Sequence, residues 1–80
     1  MKLYFGHGKP EREVAECANV HEVGQAIEQF IAKANEKNTK PFVMYYTRMW
    51  REGDYIVYDV GSWSEFFYLE TDKDVLDLYD

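Results

Sequence analysis

Residues 41–70, PFVMYYTRMWREGDYIVYDVGSWSEFFYLE, decide the fold: three strand-like runs dense in aromatic residues, separated by two glycine-containing turns. Glu52-Gly53 predicts the first turn, because glycine reaches the positive φ of a tight hairpin and strong β-formers flank it. Gly61-Ser62, between Val60 and Trp63, predicts the second as a Gly-first two-residue loop. With these turns Trp50 stands opposite Tyr55, Met49 opposite Ile56, Val60 opposite Trp63 and Ile56 opposite Phe67. The two-residue period of a strand then sorts the side chains onto two faces. The first carries Val43, Tyr45, Thr47, Met49, Ile56, Tyr58, Val60, Trp63, Phe67 and Leu69 with one charge, Glu65, and is the expected core face. The second carries Phe42, Met44, Tyr46, Arg48, Trp50, Tyr55, Val57, Asp59, Ser64, Phe66, Tyr68 and Glu70, so aromatics alternate with charges. Arg48 and Asp59 lie diagonally across the first hairpin on this face, within reach of a cross-strand ion pair. A slip of either turn by one residue is expected to invert the faces locally.

Upstream of this meander, Asn19 followed by Glu22 has the spacing of a capping box. From there Val20, Val23, Ile27, Phe30, Ile31 and Ala34 recur at helical period and form one apolar stripe, which predicts an amphipathic helix over residues 20–37. Lys33 and Lys37 suit its negative C-terminal end, and Asn38 with Pro41 supplies the stop. Gly24 beside the stripe predicts a close approach to the sheet, since glycine otherwise costs a helix about 1 kcal/mol relative to alanine. The helix is expected to pack on the face that contains Ile56 and Phe67.

Nearer the N-terminus, Leu3 and Phe5 alternate with Lys2 and Tyr4 up to a loop over residues 6–10, Gly-His-Gly-Lys-Pro. Glycines around His7 beside Lys9 offer backbone N–H groups to an anion, but the spacing of a phosphate loop is missing and the plain reading is a connector. Residues 11–18 read as a second strand, paired with the first; a helix is the alternative and would need a break at Asn19. Beyond the meander, residues 71–80 carry Asp72, Asp74, Asp77 and Asp80 among Val75, Leu76, Leu78 and Tyr79. They predict either a short helix capped by Thr71 or a solvated acidic tail.

The whole is a single domain over residues 1–80, an α+β fold in the order ββαβββ with one helix on one face of a mostly antiparallel sheet. A chain of this length buries only about 60–65% of its unfolded surface, and an aromatic content of 18% compensates in part. The formal charge of −6 argues against a nucleic-acid partner, because phosphate binding needs clustered Lys and Arg. No run reaches the length of a membrane span and no signal-peptide pattern is present, so no membrane partner is expected and the cytosol is the default location. The single Cys17 has no second thiol for a disulfide, which fits a reducing compartment, and it reads as a small packed side chain.

The run Asp59-Val60-Gly61-Ser62-Trp63-Ser64-Glu65-Phe66-Phe67-Tyr68-Leu69 resembles a hairpin of small uncharacterised proteins of bacterial prophages. The resemblance covers these residues only, and it implies a mobile-element accessory protein without naming an activity.

The residues show no catalytic set. His7, His21 and Cys17 do not make a zinc site, the carboxylates follow no metal-loop pattern, and neither cofactor nor metal is expected. His21 reads as a solvated or capping residue. Glu65 is the exception in type. On the core face beside Tyr58 and Tyr45 it would be a buried carboxylate among phenols, a hydrogen-bond hub or else the centre of a small-ligand or enzymatic pocket. The second sheet face gives the stronger expectation, because a single helix covers one side and Phe42, Met44, Tyr46, Trp50, Tyr55, Phe66 and Tyr68 remain on the other. They are covered by the terminal segments, by a second copy of the chain, or by another protein. The leading reading is a non-enzymatic protein-binding module, an inhibitor or modulator of a host or phage protein.

Overall fold

The computed structural model describes residues 1–36, 48–61 and 65–74. In chain order these form β1 (Lys2–His7), β2 (Arg12–Glu16), α1 (Val20–Asn35), β3 (Arg48–Glu52), β4 (Tyr55–Asp59) and β5 (Glu65–Glu70). The fold is α+β. All strand pairs are antiparallel and make one five-stranded sheet in the order β2-β1-β5-β4-β3. Residues 12–16 are thus a strand, not the start of a helix. The expected strand positions 42–47, the turn residues Ser62, Trp63 and Ser64, and a helix over residues 75–80 lie outside the described residues. Residues 71–74 are not helical.

The N-terminal hairpin turns through the Gly/Pro loop. Gly6 is required there by close approach, since a Cβ at this position would lie on the Lys9 carbonyl oxygen. Pairing with β1 runs Leu3 to Ala15 and then Tyr4 to Glu13, so Val14 bulges out of the ladder. The bulge lets both Val14 and Ala15 pack against the core. β1 also pairs with β5 along its whole length, Leu3 with Leu69 and Phe5 with Phe67. That contact makes β5 the central strand.

The first hairpin turns one residue later than expected. Glu52 pairs with Tyr55, Trp50 with Val57, Met49 with Tyr58 and Arg48 with Asp59, which places Gly53-Asp54 in the loop. Gly53 has φ of 60° and stands first. An Glu-Gly loop of the favoured kinds would force a positive φ on Glu52, whereas Gly-Asp asks it only of glycine. The second hairpin is displaced in the same sense, with Ile56 opposite Leu69 and Tyr58 opposite Phe67. The faces nevertheless stay as predicted. Sliding a two-residue turn by one position moves each partner by two residues, and a side-chain period of two leaves inside and outside unchanged. The expected local inversion is therefore incorrect; it would take a change in loop length.

The helix starts at the predicted cap. Asn19 is extended, and its Oδ1 accepts the Glu22 N–H at 3.0 Å. Asn19 Nδ2 also donates to Glu22 Oε2 at 3.4 Å, so the returning limb of the capping box ends on the side-chain amide. Val23 and Ile27 are buried against Leu3, Ile56, Tyr58, Val60, Phe67 and Leu69, with Ala26, Phe30 and Ile31 packed around them. Each such fully buried aliphatic or aromatic side chain contributes about 1.5–3 kcal/mol relative to exposure. At 1.5 Å per residue the helix of 16 residues is about 24 Å long, enough to span a sheet of five strands spaced about 4.8 Å apart. Its position agrees with the expectation for Ile56 and Phe67. Gly24 does not: it is exposed, and a Cβ there would meet nothing within 4 Å.

Candidate interaction face

On the sheet face away from the helix, strand alternation brings Tyr4 of β1, Phe66 and Tyr68 of β5, Tyr55 and Val57 of β4 and Trp50 of β3 together. The rings meet edge to face in a continuous series. Tyr4 contacts Tyr55 with centroids 6.1 Å apart, Tyr55 contacts Tyr68 at 6.3 Å, Tyr68 contacts Phe66 at 6.5 Å and Phe66 contacts Trp50 at 6.1 Å. Such contacts match the positive ring edge to the negative ring face. Tyr4 was not among the residues expected here, because its place depends on β1 lying beside β5.

Exposure on this face is uneven. Tyr68 is 3% exposed and Val57 1%, Tyr55 and Phe66 are half-buried, and Trp50 is the exposed large apolar side chain among the described residues at 36%. Of the residues expected to need cover on this face, Tyr68 already has it within the chain. It lies between neighbouring strands with rings on both sides, and it supports the surface instead of forming it. Phe42, Met44 and Tyr46 lie outside the described residues. Burial raises the Tyr68 hydroxyl pKa above its ordinary value, helped by the negative charges of Glu52 and Glu11. Tyr55 is raised as well, first by desolvation and then by Glu70, whose Oε2 accepts its O–H at a long 3.5 Å.

The polar members of the face are anchored. Asp59 is buried, yet both its oxygens are used: Oδ2 accepts from Arg48 at 2.7 Å and Oδ1 from the Gly61 N–H at 3.0 Å. The pair is directly opposite in register, not diagonal. The Arg48 hydrogen bond is the main reason the Asp59 carboxyl sits below its ordinary pKa, with the Gly61 N–H adding to it against opposing desolvation. Lys2 is 3.8 Å from Glu13. Exposed Glu52 and Glu70 flank the rings together with exposed Lys2, opposite Glu70, and Arg48, so the rim carries both signs.

Elsewhere the predicted chemistry is not assembled. Glu65 is exposed at the first position of β5, opposite His7, so the expected buried carboxylate beside Tyr58 does not form, and Tyr45 lies outside the described residues. The strand end carries it past the cover of the helix. Tyr58 itself is buried against Phe67. The His7 N–H is donated to Glu11 Oε1 at 2.6 Å, so a carboxylate of the chain already takes this donor of the loop. Cys17 is buried, and that burial raises its thiol pKa, which disfavours the thiolate. His21 is exposed, 3.4 Å from Gln25 Nε2. Among the described residues no three His, Cys, Asp or Glu side chains gather as a metal would require, and no helix is long and apolar enough to cross a membrane.

Arg51 is the residue that sequence reasoning missed. Its guanidinium donates to the carbonyls of Gly53 at 3.3 Å, Thr71 at 2.8 Å and Lys73, and the Thr71 N–H donates to the Asp54 carbonyl at 3.2 Å. These bonds tie the segment after β5 to the first hairpin turn, close to the Trp50 end of the face. Nothing in the local pattern around Arg51 signals carbonyls that come from twenty residues away.

Comparison of the chain with protein-family models, with curated proteins and with solved structures returned no match.

Proposed function

We propose that this protein is a small non-enzymatic binding module that engages another protein through the sheet face opposite its helix, with Trp50 as the anchor. The observation that carries this reading is the exposure of Trp50 on β3, an edge strand among the described residues, at the end of an ordered series of aromatic rings. A tryptophan braced by packed neighbours loses little conformational freedom on binding and brings a large apolar area, the usual character of an interface hot spot. The rim of mixed sign, Lys2 and Arg48 with Glu52 and Glu70, favours a partner with polar groups of both signs around an apolar centre. The likeness of residues 59–69 to prophage hairpins supports a host or phage protein as that partner, with the module acting as its inhibitor or modulator.

The test is capture from host extract with the wild-type chain and with Trp50→Ala as bait, alongside sedimentation of the free protein at micromolar concentration. A partner retained by wild type and lost by Trp50→Ala supports the reading; self-association lost in the same variant assigns the face to a homodimer. In a Trp63→Phe background, a monomer whose remaining tryptophan is shielded from a soluble quencher would overturn it.

A further inference from the structure

Among the described residues β3 is an edge strand, joined to the sheet by its ladder to β4. Two further ties cross over β4, one on each side of the sheet. On the face away from the helix the Trp50 ring meets Phe66 of β5. Arg51 is next in the chain and so points to the opposite face, from which it reaches the segment that follows β5. Its Nη1 donates to the carbonyls of Thr71 at 2.8 Å and Gly53 at 3.3 Å, and its Nη2 donates to that of Lys73.

Each of these three acceptors is a backbone oxygen. The Thr71 N–H returns a bond to the Asp54 carbonyl at 3.2 Å, and the Lys73 N–H donates to Thr71 Oγ1 at 3.2 Å. The second bond folds the segment so that the oxygens of residues 71 and 73 meet one planar guanidinium, whose donors are fixed in a fork. The segment is therefore held by its backbone and the Thr71 hydroxyl, and these bonds ask nothing of the side chains of Asp72 and Lys73, both exposed. Outer strands open locally at a lower free energy than the core does. A charged donor bonded to three carbonyls opposes that opening at the sheet edge. Because Trp50 and Arg51 are consecutive, what holds Arg51 also holds the backbone that carries Trp50.

We infer that the segment after β5 is a strap that sets the anchor of the aromatic face. With residues 71–73 docked on Arg51, β3 is fixed and Trp50 stays against Phe66; with the strap displaced, the edge strand and Trp50 loosen together. Arg51 is thus a positioning residue that acts on the face without belonging to it. The inference rests on the proposed function only in calling Trp50 an anchor, since the coupling is read in the free protein.

The test is amide hydrogen exchange on the full chain carrying Arg51→Gln, with acrylamide quenching of Trp50 in a Trp63→Phe background. Exchange at residues 50–54 and 71–73 should quicken by about tenfold or more, the scale of lost charged hydrogen bonds. The amides of Leu3 and Phe67 should change much less, and quenching of Trp50 should rise. Asp72→Ala and Lys73→Ala should alter neither reading. Arg51→Lys should fall between, because one ammonium can serve the two oxygens that share Nη1 but not that of Lys73 as well. Exchange is measured with both tryptophans in place, so it decides even if Trp63→Phe does not fold. Unchanged exchange around Trp50, equal acceleration at Leu3 and Phe67, or an Arg51→Gln chain that does not fold would each overturn the inference. Coupling present in a protein that captures no partner would support the strap and remove the binding role alone.

Discussion

Phe67 and Tyr68 are adjacent in the central strand and both are buried, yet they belong to two aromatic clusters of different character. Phe67 points to the helix and packs with Phe5 at 5.1 Å and Phe30 at 5.5 Å, while Phe5 and Phe30 lie 4.6 Å apart. Tyr68 points away and joins the tyrosine, phenylalanine and tryptophan series that ends at exposed Trp50. The first cluster has no polar atom in any ring and is closed by the helix. The second keeps hydroxyls, an indole N–H and an ion pair on a surface that grades from buried to open. Carbon-only rings therefore predominate on the side closed by the helix, with Tyr58 the exception, and amphipathic rings on the other side, with Phe66 the exception.

Phe67→Ala offers the largest break in this comparison. Removing a fully buried ring at the meeting point of sheet and helix should cost about 3–5 kcal/mol, seen as a fall in the urea midpoint or in Tm at roughly 4–8 °C per kcal/mol. Phe66→Ala, which removes the neighbouring ring from the other face, should cost less than half as much. Equal losses would mean that the two faces contribute alike to folding.

Arg48→Ala comes next. It leaves the buried Asp59 carboxylate with only the Gly61 N–H of its two bonds described here, at about 1–2 kcal/mol, toward the low end because the Arg48 side chain is largely solvated. The pH dependence has a definite sign. Asp59 has a folded pKa below the ordinary 3.8, so its stabilisation is present above that value and is lost as pH falls through the folded one. Without Arg48 the folded pKa rises, and the acid unfolding midpoint, followed by circular dichroism, should move to higher pH. An unmoved midpoint would separate the ion pair from the stability of this face.

A gain is expected on the solvent side of the helix. Gly24 has open space around it, so Gly24→Ala should stabilise the protein by about 1 kcal/mol. A loss on thermal melting would show that something does approach the helix there. The smallest effect on stability belongs to Trp50→Ala, about 1 kcal/mol or less, since the ring is partly solvated and gives up chiefly its contact with Phe66. A drop as large as that of Phe67→Ala would make Trp50 a core residue and erase the contrast between the clusters.

Much of this contrast was legible beforehand. The face on which each of Met49, Trp50, Tyr55, Ile56, Val57, Tyr58, Phe66, Phe67 and Leu69 lies follows from alternation alone and survived two displaced turns, because a shift by two preserves parity. How deeply each residue is buried did not follow from alternation. Tyr68 and Trp50 have the same parity class and similar size, and only their distance from the sheet edge separates 3% from 36% exposure.

The amino-acid sequence by itself determined the local elements: a helix begun by Asn19 and given one apolar stripe, strands of alternating character, and glycines where the chain must turn. These depend on residues within a few positions of one another, where periodicity and backbone sterics act. Only the tertiary structure decided that β1 lies beside β5, that Tyr4 thereby joins the aromatic face, that Glu65 falls outside the core, and that Arg51 gathers the carbonyls of Gly53, Thr71 and Lys73. Each of these joins segments far apart in the chain, and their free energy comes from surfaces and hydrogen-bond partners that exist only once the sheet has closed around its central strand.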